Sequence, residues 1–394
     1  MIENLVFKKY GYSIFALALV LLLCMPLLLT GNWHAGDIIY EFYYNRAYGF
    51  SEMAKGEIPL WNPHQFTGYP FLESMQSSLF YPLNFLFIVL PTNWALVFTV
   101  VIHLFLAWWF MFILLRNWLD DPLAAFVGAL VFALSGPITA HIYAGHITYL
   151  NAYVWLPIIV HFYRLGFKHH KIIYYIFAGA FSGVLFLTGY PQIFLFMAYI
   201  IVVYAIYEIA KLLFNKKTNE AGTGVLHLVL SGVICILISA VQLFPSLLFT
   251  RFSGREGGVS EEFATSFSMP PENIFTLLMP HILGDGVHAL PNTAVAYWGR
   301  WLSWEIMPYA GIFCFLCFVL AFTFKNNKLR VLGVLMLVAL ICALGQYGSL
   351  YSYVYHYLPG FNLFRVPGRF LVPFVFGGAL LVGLFLKESK SNEF

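Results

Sequence analysis

Asp37 and Glu41 stand four residues apart in "GDIIYEFYY" (36–44), and Arg365 and Arg369 stand four apart in "LFRVPGRF" (363–370). Only 10% of the chain is charged, so two such pairs in otherwise apolar surroundings ask for a reason. On a helix, positions i and i+4 share a face, which predicts a short helix carrying Asp37, Glu41 and Tyr44 on one side. Ile38, Phe42 and Tyr43 would then lie against lipid. A carboxylate placed there can take the proton of a hydroxyl nucleophile or help hold a divalent cation, Mg or Mn, on a phosphate. An Asp after Gly before an apolar run also suits a helix start, where it caps amides and complements the dipole. Two guanidiniums around a Val-Pro-Gly turn can fork phosphate oxygens and neutralise a leaving group. They can equally reach toward lipid headgroups.

The elements that must position these groups are membrane helices. The 394 residues are 61% hydrophobic and 19% aromatic, and mean hydropathy is +0.78, more apolar surface than a soluble domain can bury. A bilayer core about 30 Å thick needs roughly 17–25 apolar residues per crossing. That ruler marks ten expected spans near 11–30, 94–115, 122–140, 147–165, 172–188, 191–213, 225–247, 306–324, 330–347 and 369–386. With both termini cytoplasmic, 14 of the 21 Lys and Arg fall in inside loops, and 11 of the 18 acids fall outside. The basic bias sets that orientation. The first apolar run is long and lacks a nearby small-x-small site, which predicts an anchor rather than a cleaved signal. All five Cys lie in expected spans and read as small buried hydrophobes, not as a disulfide or zinc framework. The net charge of +3 is the cytoplasmic excess and does not imply nucleic acid.

Two outside stretches are too long for simple connections, 31–93 and 251–305. The expected fold class is an all-α polytopic membrane protein, one domain over 1–394, in which the large first extracytoplasmic loop carries short amphipathic helices. Gly56, Pro59, Pro63, Gly68, Pro70 and Pro82 punctuate that loop. Its Trp61, Asn62 and His64 are candidate pocket residues, as are His146, Tyr190 and Gln192. The last two lie in "LTGYPQ" (187–192), which joins two spans with almost no loop. That predicts an outer end stopping below the membrane surface, a floor tolerated only where protein or water surrounds it. Trp61, Tyr69, Trp298, Trp301 and Trp304 can stack on sugar rings, though an interfacial aromatic belt reads the same way. His103, His227 and Gln242 are intramembrane polar groups and therefore functional candidates, with no partner legible. No phosphate loop, dinucleotide fingerprint or nucleophile elbow is present.

The stretches "GDIIYEFYY", "GEIPLWNPHQFTGYPFL", "LTGYPQ", "EIMPYAGI" and "ALGQYGSLYSYVYHYLPGFNLFRVPGRFLVPFVFGGALLVG" resemble, in family order, the YfhO-type bacterial membrane proteins. These look like members of the GT-C class of integral-membrane glycosyltransferases. The resemblance implies a GT-C-like fold, a polyprenyl-phosphate-sugar donor and transfer on the extracytoplasmic face of the cell membrane. It also implies an envelope glycopolymer or glycolipid acceptor, such as lipoteichoic acid. In the GT-C class an acidic residue of the first outside loop is essential, and Asp37 occupies that place, with Glu41 in support. Familiar relatives continue beyond the Arg-Val-Pro-x-Arg helix into an extracytoplasmic domain, so this chain is expected to be a short member or a piece of a longer protein. Asp37 and Glu41 replace the Asp-x-Asp often seen in the class, which leaves metal dependence open. Two other readings stand beside glycosyl transfer: a transporter or flippase of a lipid-linked sugar, and a non-catalytic membrane scaffold.

Overall fold

In a computed structural model of the chain, residues 2–284 and 297–390 are described. Part of the second long loop (285–296) and the final four residues lie outside them. The described residues are almost wholly helical, the exception being one antiparallel hairpin of two-residue strands, Trp61–Asn62 and Tyr69–Pro70.

Every expected span contains helix, but only five helices are long and apolar enough to cross a bilayer: Thr92–Leu119, Pro122–Ala144, Pro191–Phe214, Thr218–Thr250 and Pro367–Glu388. The others are shorter or interrupted, for local reasons. Pro26 divides the first apolar run into Ile2–Leu23 and Met25–Thr30. The 147–165 window splits into Ile147–Tyr153 and Leu156–His169, with Pro157 in the first turn of the second piece. In the 306–324 window, Pro308 and Gly311 (φ +93°) delay the helix to Ile312–Leu320. Ile172–Leu187 rises roughly 24 Å at 1.5 Å per residue, short of a full crossing.

Within the span read above as one domain, the chain forms two compact units. One comprises 1–21, 104–144 and 255–394; the other comprises 22–103 and 145–254. In the first unit, Leu371–Glu388 packs on Pro122–Ala133 and on Asn327–Ala343. Gly128 allows the first of these approaches: a Cβ there would stand 2.7 Å from the Ala379 carbonyl oxygen.

In the second unit, Ile172–Leu187 is held between Leu156–His169 and Thr218–Thr250. The long connection 31–93 is tied to these helices. Ser78 Oγ donates to Thr188 O at 2.7 Å, Gln242 Nε2 to Leu72 O at 2.8 Å, and Ser246 Oγ to Glu73 O at 2.9 Å. Tyr81 OH lies 2.7 Å from His103 Nε2 and accepts from Trp155 Nε1 at 3.1 Å. His103 Nδ1 lies 2.7 Å from the Thr99 carbonyl and so is the protonated ring nitrogen, which makes Tyr81 the donor to Nε2. Thus His103 and Gln242, flagged as intramembrane polar groups, anchor the loop.

Gly189 marks the tightest point of the "LTGYPQ" turn. Its φ is +83°, and a Cβ would fall 2.1 Å from the Met75 carbonyl oxygen. Gly189→Ala is therefore expected to cost about 1–3 kcal/mol from backbone strain alone, with the carbonyl clash added. Thermal unfolding in detergent checks this; a melting temperature equal to that of the parent would refute the close approach.

Candidate functional site

The loop 31–93 opens with a π-helical turn, Ile38–Phe42, in which Tyr43 N–H bonds the Ile38 carbonyl, and continues as the α-helix Tyr43–Ala54. The extra residue in the turn changes which side chains face inward, and such bulges recur at functional sites. Ile38 and Phe42 are buried in protein rather than set against lipid, as are Asn45 and Arg46. The outward face is Ile39, Tyr40, Tyr43 and Tyr44. An α-helical reading of the same residues places Ile38 and Phe42 on the wrong side.

Asp37 sits at the start of this turn, and its Oδ2 lies 3.0 Å from His146 Nε2. The two side chains are 48% and 16% exposed, so the pair is reachable. Local backbone makes the approach possible. Gly145 has φ +93°, and a Cβ on it would meet Ile38 N at 2.9 Å. His146 follows at the N-cap of Ile147–Tyr153.

Glu41, one turn beyond Asp37, is partly buried. Burial and the neighbouring Asp37 charge raise its carboxyl above the ordinary range, while Arg46 and His146 pull the other way. Arg46 is fully buried. Its Nη1 donates to the carbonyls of Gln76 and Ser77, and its guanidinium lies over the Phe42 ring at 5.8 Å. Nε and Nη2 have no partner. Burial lowers its pKa to about 10, against the favourable charges of Glu41 and Tyr69.

The remaining loop candidates divide by exposure. Asn62 is buried: its Nδ2 reaches Asn45 Oδ1 at 3.3 Å and its Oδ1 accepts His64 N–H at 2.9 Å, so it braces the hairpin. Trp61 is 52% exposed and lies over Gly68. His64 is exposed and packs edge-on against Tyr48. Tyr190 and Gln192 are buried, Tyr190 with its ring edge against Tyr149.

The second cluster belongs to the other unit. Arg369 forks Glu305, with Nε to Oε2 at 3.1 Å and Nη2 to Oε1 at 2.9 Å. His141 Nε2 stands 3.5 Å from Glu305 Oε2, and its Nδ1–H donates to the Pro137 carbonyl at 2.6 Å. Gly368 admits this arrangement, because a Cβ there would strike the Glu305 carbonyl at 2.5 Å. Arg365 lies over the rings of Phe263 (5.4 Å) and Phe267 (5.5 Å). Between the two arginines Val366 holds φ +70°, a costly conformation for a β-branched residue. Arg255 joins the group: its Nη1 donates to Leu363 O at 3.3 Å. Burial, then the charges of Arg365 and Arg369, lower its pKa.

The arginine pair singled out from sequence is therefore unequal. Arg369 is engaged with a buried carboxylate, whereas Arg365 shares its surroundings with Arg255 and two aromatic rings. Glu305, Arg255 and Arg46 were not legible as site residues. Glu305 follows an aromatic run that reads as interface, and its partner is 64 positions away.

Helices of membrane-crossing length around charged groups held in buried networks define an integral-membrane protein of the all-helical class. The chain belongs to the family described as bacterial membrane protein YfhO, which matches residues 75–393. The match takes in His146, Glu305, Arg365 and Arg369 and begins beyond Asp37, Glu41 and Arg46. No curated protein matches the chain.

Proposed function

We propose that this protein is a GT-C-type glycosyltransferase that moves a sugar from a polyprenyl-phosphate donor to an envelope glycopolymer or glycolipid at the extracytoplasmic face. The observation that carries the reading is the Asp37–His146 pair at 3.0 Å, a carboxylate and an imidazole at the head of a partly exposed loop. Such a pair accepts the proton of an acceptor hydroxyl as its oxygen bonds the anomeric carbon. The bond from that carbon to the phosphate oxygen breaks, and polyprenyl phosphate departs with the electron pair. Arg365, with Arg255 beside it, supplies cationic charge of the kind a departing phosphate requires. Arg369 is a positioning residue in this reading, because its fork is occupied by Glu305.

Asp37 and Glu41 offer carboxylates on consecutive turns to Mg or Mn. These two donors fit such an ion only if water and phosphate oxygens complete the set. A bound ion would add charge neutralisation at the phosphate.

The test is transfer of labelled sugar from polyprenyl-phosphate donors by the reconstituted protein, with and without chelator. A new glycosidic product is expected. A hydrogen bond to a charged group is worth about 1.5–3 kcal/mol, so Arg365→Ala is expected to lower kcat/KM for the donor roughly 10–100-fold, with partial recovery in Arg365→Lys. Unchanged donor kinetics in Arg365→Ala would remove that role.

One observation favours the transport reading. Pro122–Ala133 and Gly136–Ala144 are separate helices within one span, and Gly136 N–H bonds the Tyr309 carbonyl at 2.6 Å. Interrupted helices are a feature of transporters. Labelled lipid-linked sugar crossing the bilayer of proteoliposomes with no glycosidic product would establish that reading and overturn glycosyl transfer.

A further inference from the structure

We propose that Arg46 and Glu41 form a subsite for adjacent hydroxyls of an uncharged sugar ring, and that this subsite discriminates against acidic sugars. The sugar as ligand rests on the glycosyl-transfer reading; the binding chemistry rests on the site itself.

A fully buried guanidinium normally uses its donors, because each unpaired N–H in low dielectric forfeits the hydration it had in water. Arg46 spends Nη1 on two carbonyls and leaves Nε and Nη2 unmatched. Phe42 covers one face of the guanidinium, so the unmatched donors are reached edge-on. The nearby acceptor does not satisfy them. Glu41 interacts with Arg46 electrostatically, yet no ion pair joins the two among the described residues. The inward turn of Arg46 follows from the π-helical turn just before it.

The chemistry of the missing group follows from what flanks it. Nε and Nη2 require an acceptor oxygen, and the Glu41 carboxylate requires a donor. A hydroxyl is both, and two hydroxyls on adjacent ring carbons present an acceptor edge to Arg46 and a proton to Glu41. A phosphate or carboxylate would satisfy the arginine but meet two like charges, Glu41 and Asp37. The Asn45–Asn62–Tyr69 hydrogen bonds hold the adjoining backbone without drawing on the free donors of Arg46.

Binding of methyl glucoside and methyl glucuronide to the full chain in detergent, followed by ligand-observed NMR, tests this directly. The glucoside is expected to bind at least about tenfold more tightly than the glucuronide. Glu41→Gln removes the repelling charge while keeping a hydrogen-bonding side chain, so the ratio is expected to fall toward one. Arg46→Met is expected to abolish glucoside binding. If it fails to fold, Glu41→Gln decides the matter alone. Equal binding of the two sugars by the parent protein, or a ratio unchanged in Glu41→Gln, overturns the proposal. The same preparations assayed for transfer separate the two ideas. Transfer without sugar discrimination sinks the subsite alone, whereas discrimination without transfer from any donor sinks the glycosyl-transfer reading alone.

Discussion

Asp37→Asn is expected to lower sugar transfer by about 10²–10⁴-fold, the range lost when a positioned general base is removed, while leaving the fold intact. The side chain keeps its size and its place at the head of the loop, and it is half exposed, so no buried charge is stranded. What disappears is the anionic oxygen that faces His146 Nε2 at 3.0 Å. His146→Gln supplies the companion measurement. If the carboxylate accepts the proton itself, the imidazole only orients it, and the His146 variant should retain far more activity than the Asp37 variant. If the two act as one unit, each single variant and the double variant should show similar losses, since groups acting together are not additive. Asp37→Asn at parental activity, with normal yield and melting temperature, would remove this residue from the chemistry.

The second large effect concerns stability. Glu305→Ala is expected to destabilise its unit by about 3–5 kcal/mol, the cost of removing one partner from a buried ion pair. Glu305 is 8% exposed and Arg369 16%, so the guanidinium left behind would be poorly hydrated. His141 would lose its neighbour in the same step. Glu305→Gln keeps the shape and one acceptor oxygen, and should fall between parent and alanine. The double variant Glu305→Leu with Arg369→Met tests the mechanism. Removing both charges together should recover much of the loss, because the damage comes from the unpaired cation rather than from the missing attraction. Melting in detergent reads all three. If the double variant is as unstable as Glu305→Ala, packing rather than charge explains the loss.

Hydropathy located helix at every expected span because burial in lipid leaves its mark on each residue of a crossing. It overstated their lengths where a single Pro or Gly intervenes, as at Pro157, Pro308 and Gly311, since a window average barely registers one residue. The importance of Asp37 and Arg365 was visible as charge in an apolar chain. Their companions were not. Glu305 and Arg369 meet across 64 positions, and Asp37 and His146 meet because Gly145 lets the two backbones approach. Such meetings are properties of packing, which spacing along a chain does not encode. Arg46 was passed over for another reason. On a regular α-helix its position gave no hint of burial, and the turn that reverses this has no distinctive residue type.

That turn makes the arrangement sensitive to length as well as to identity. Excising one residue from 38–42 would let an ordinary α-helix run through, with every side chain still of the right kind. Each residue of such a helix turns the chain by about 100°, so everything downstream would swivel by that much about the axis. Arg46 would be carried out of the interior and the outward aromatic stripe brought round in its place. In this stretch a missing residue does more harm than a wrong one.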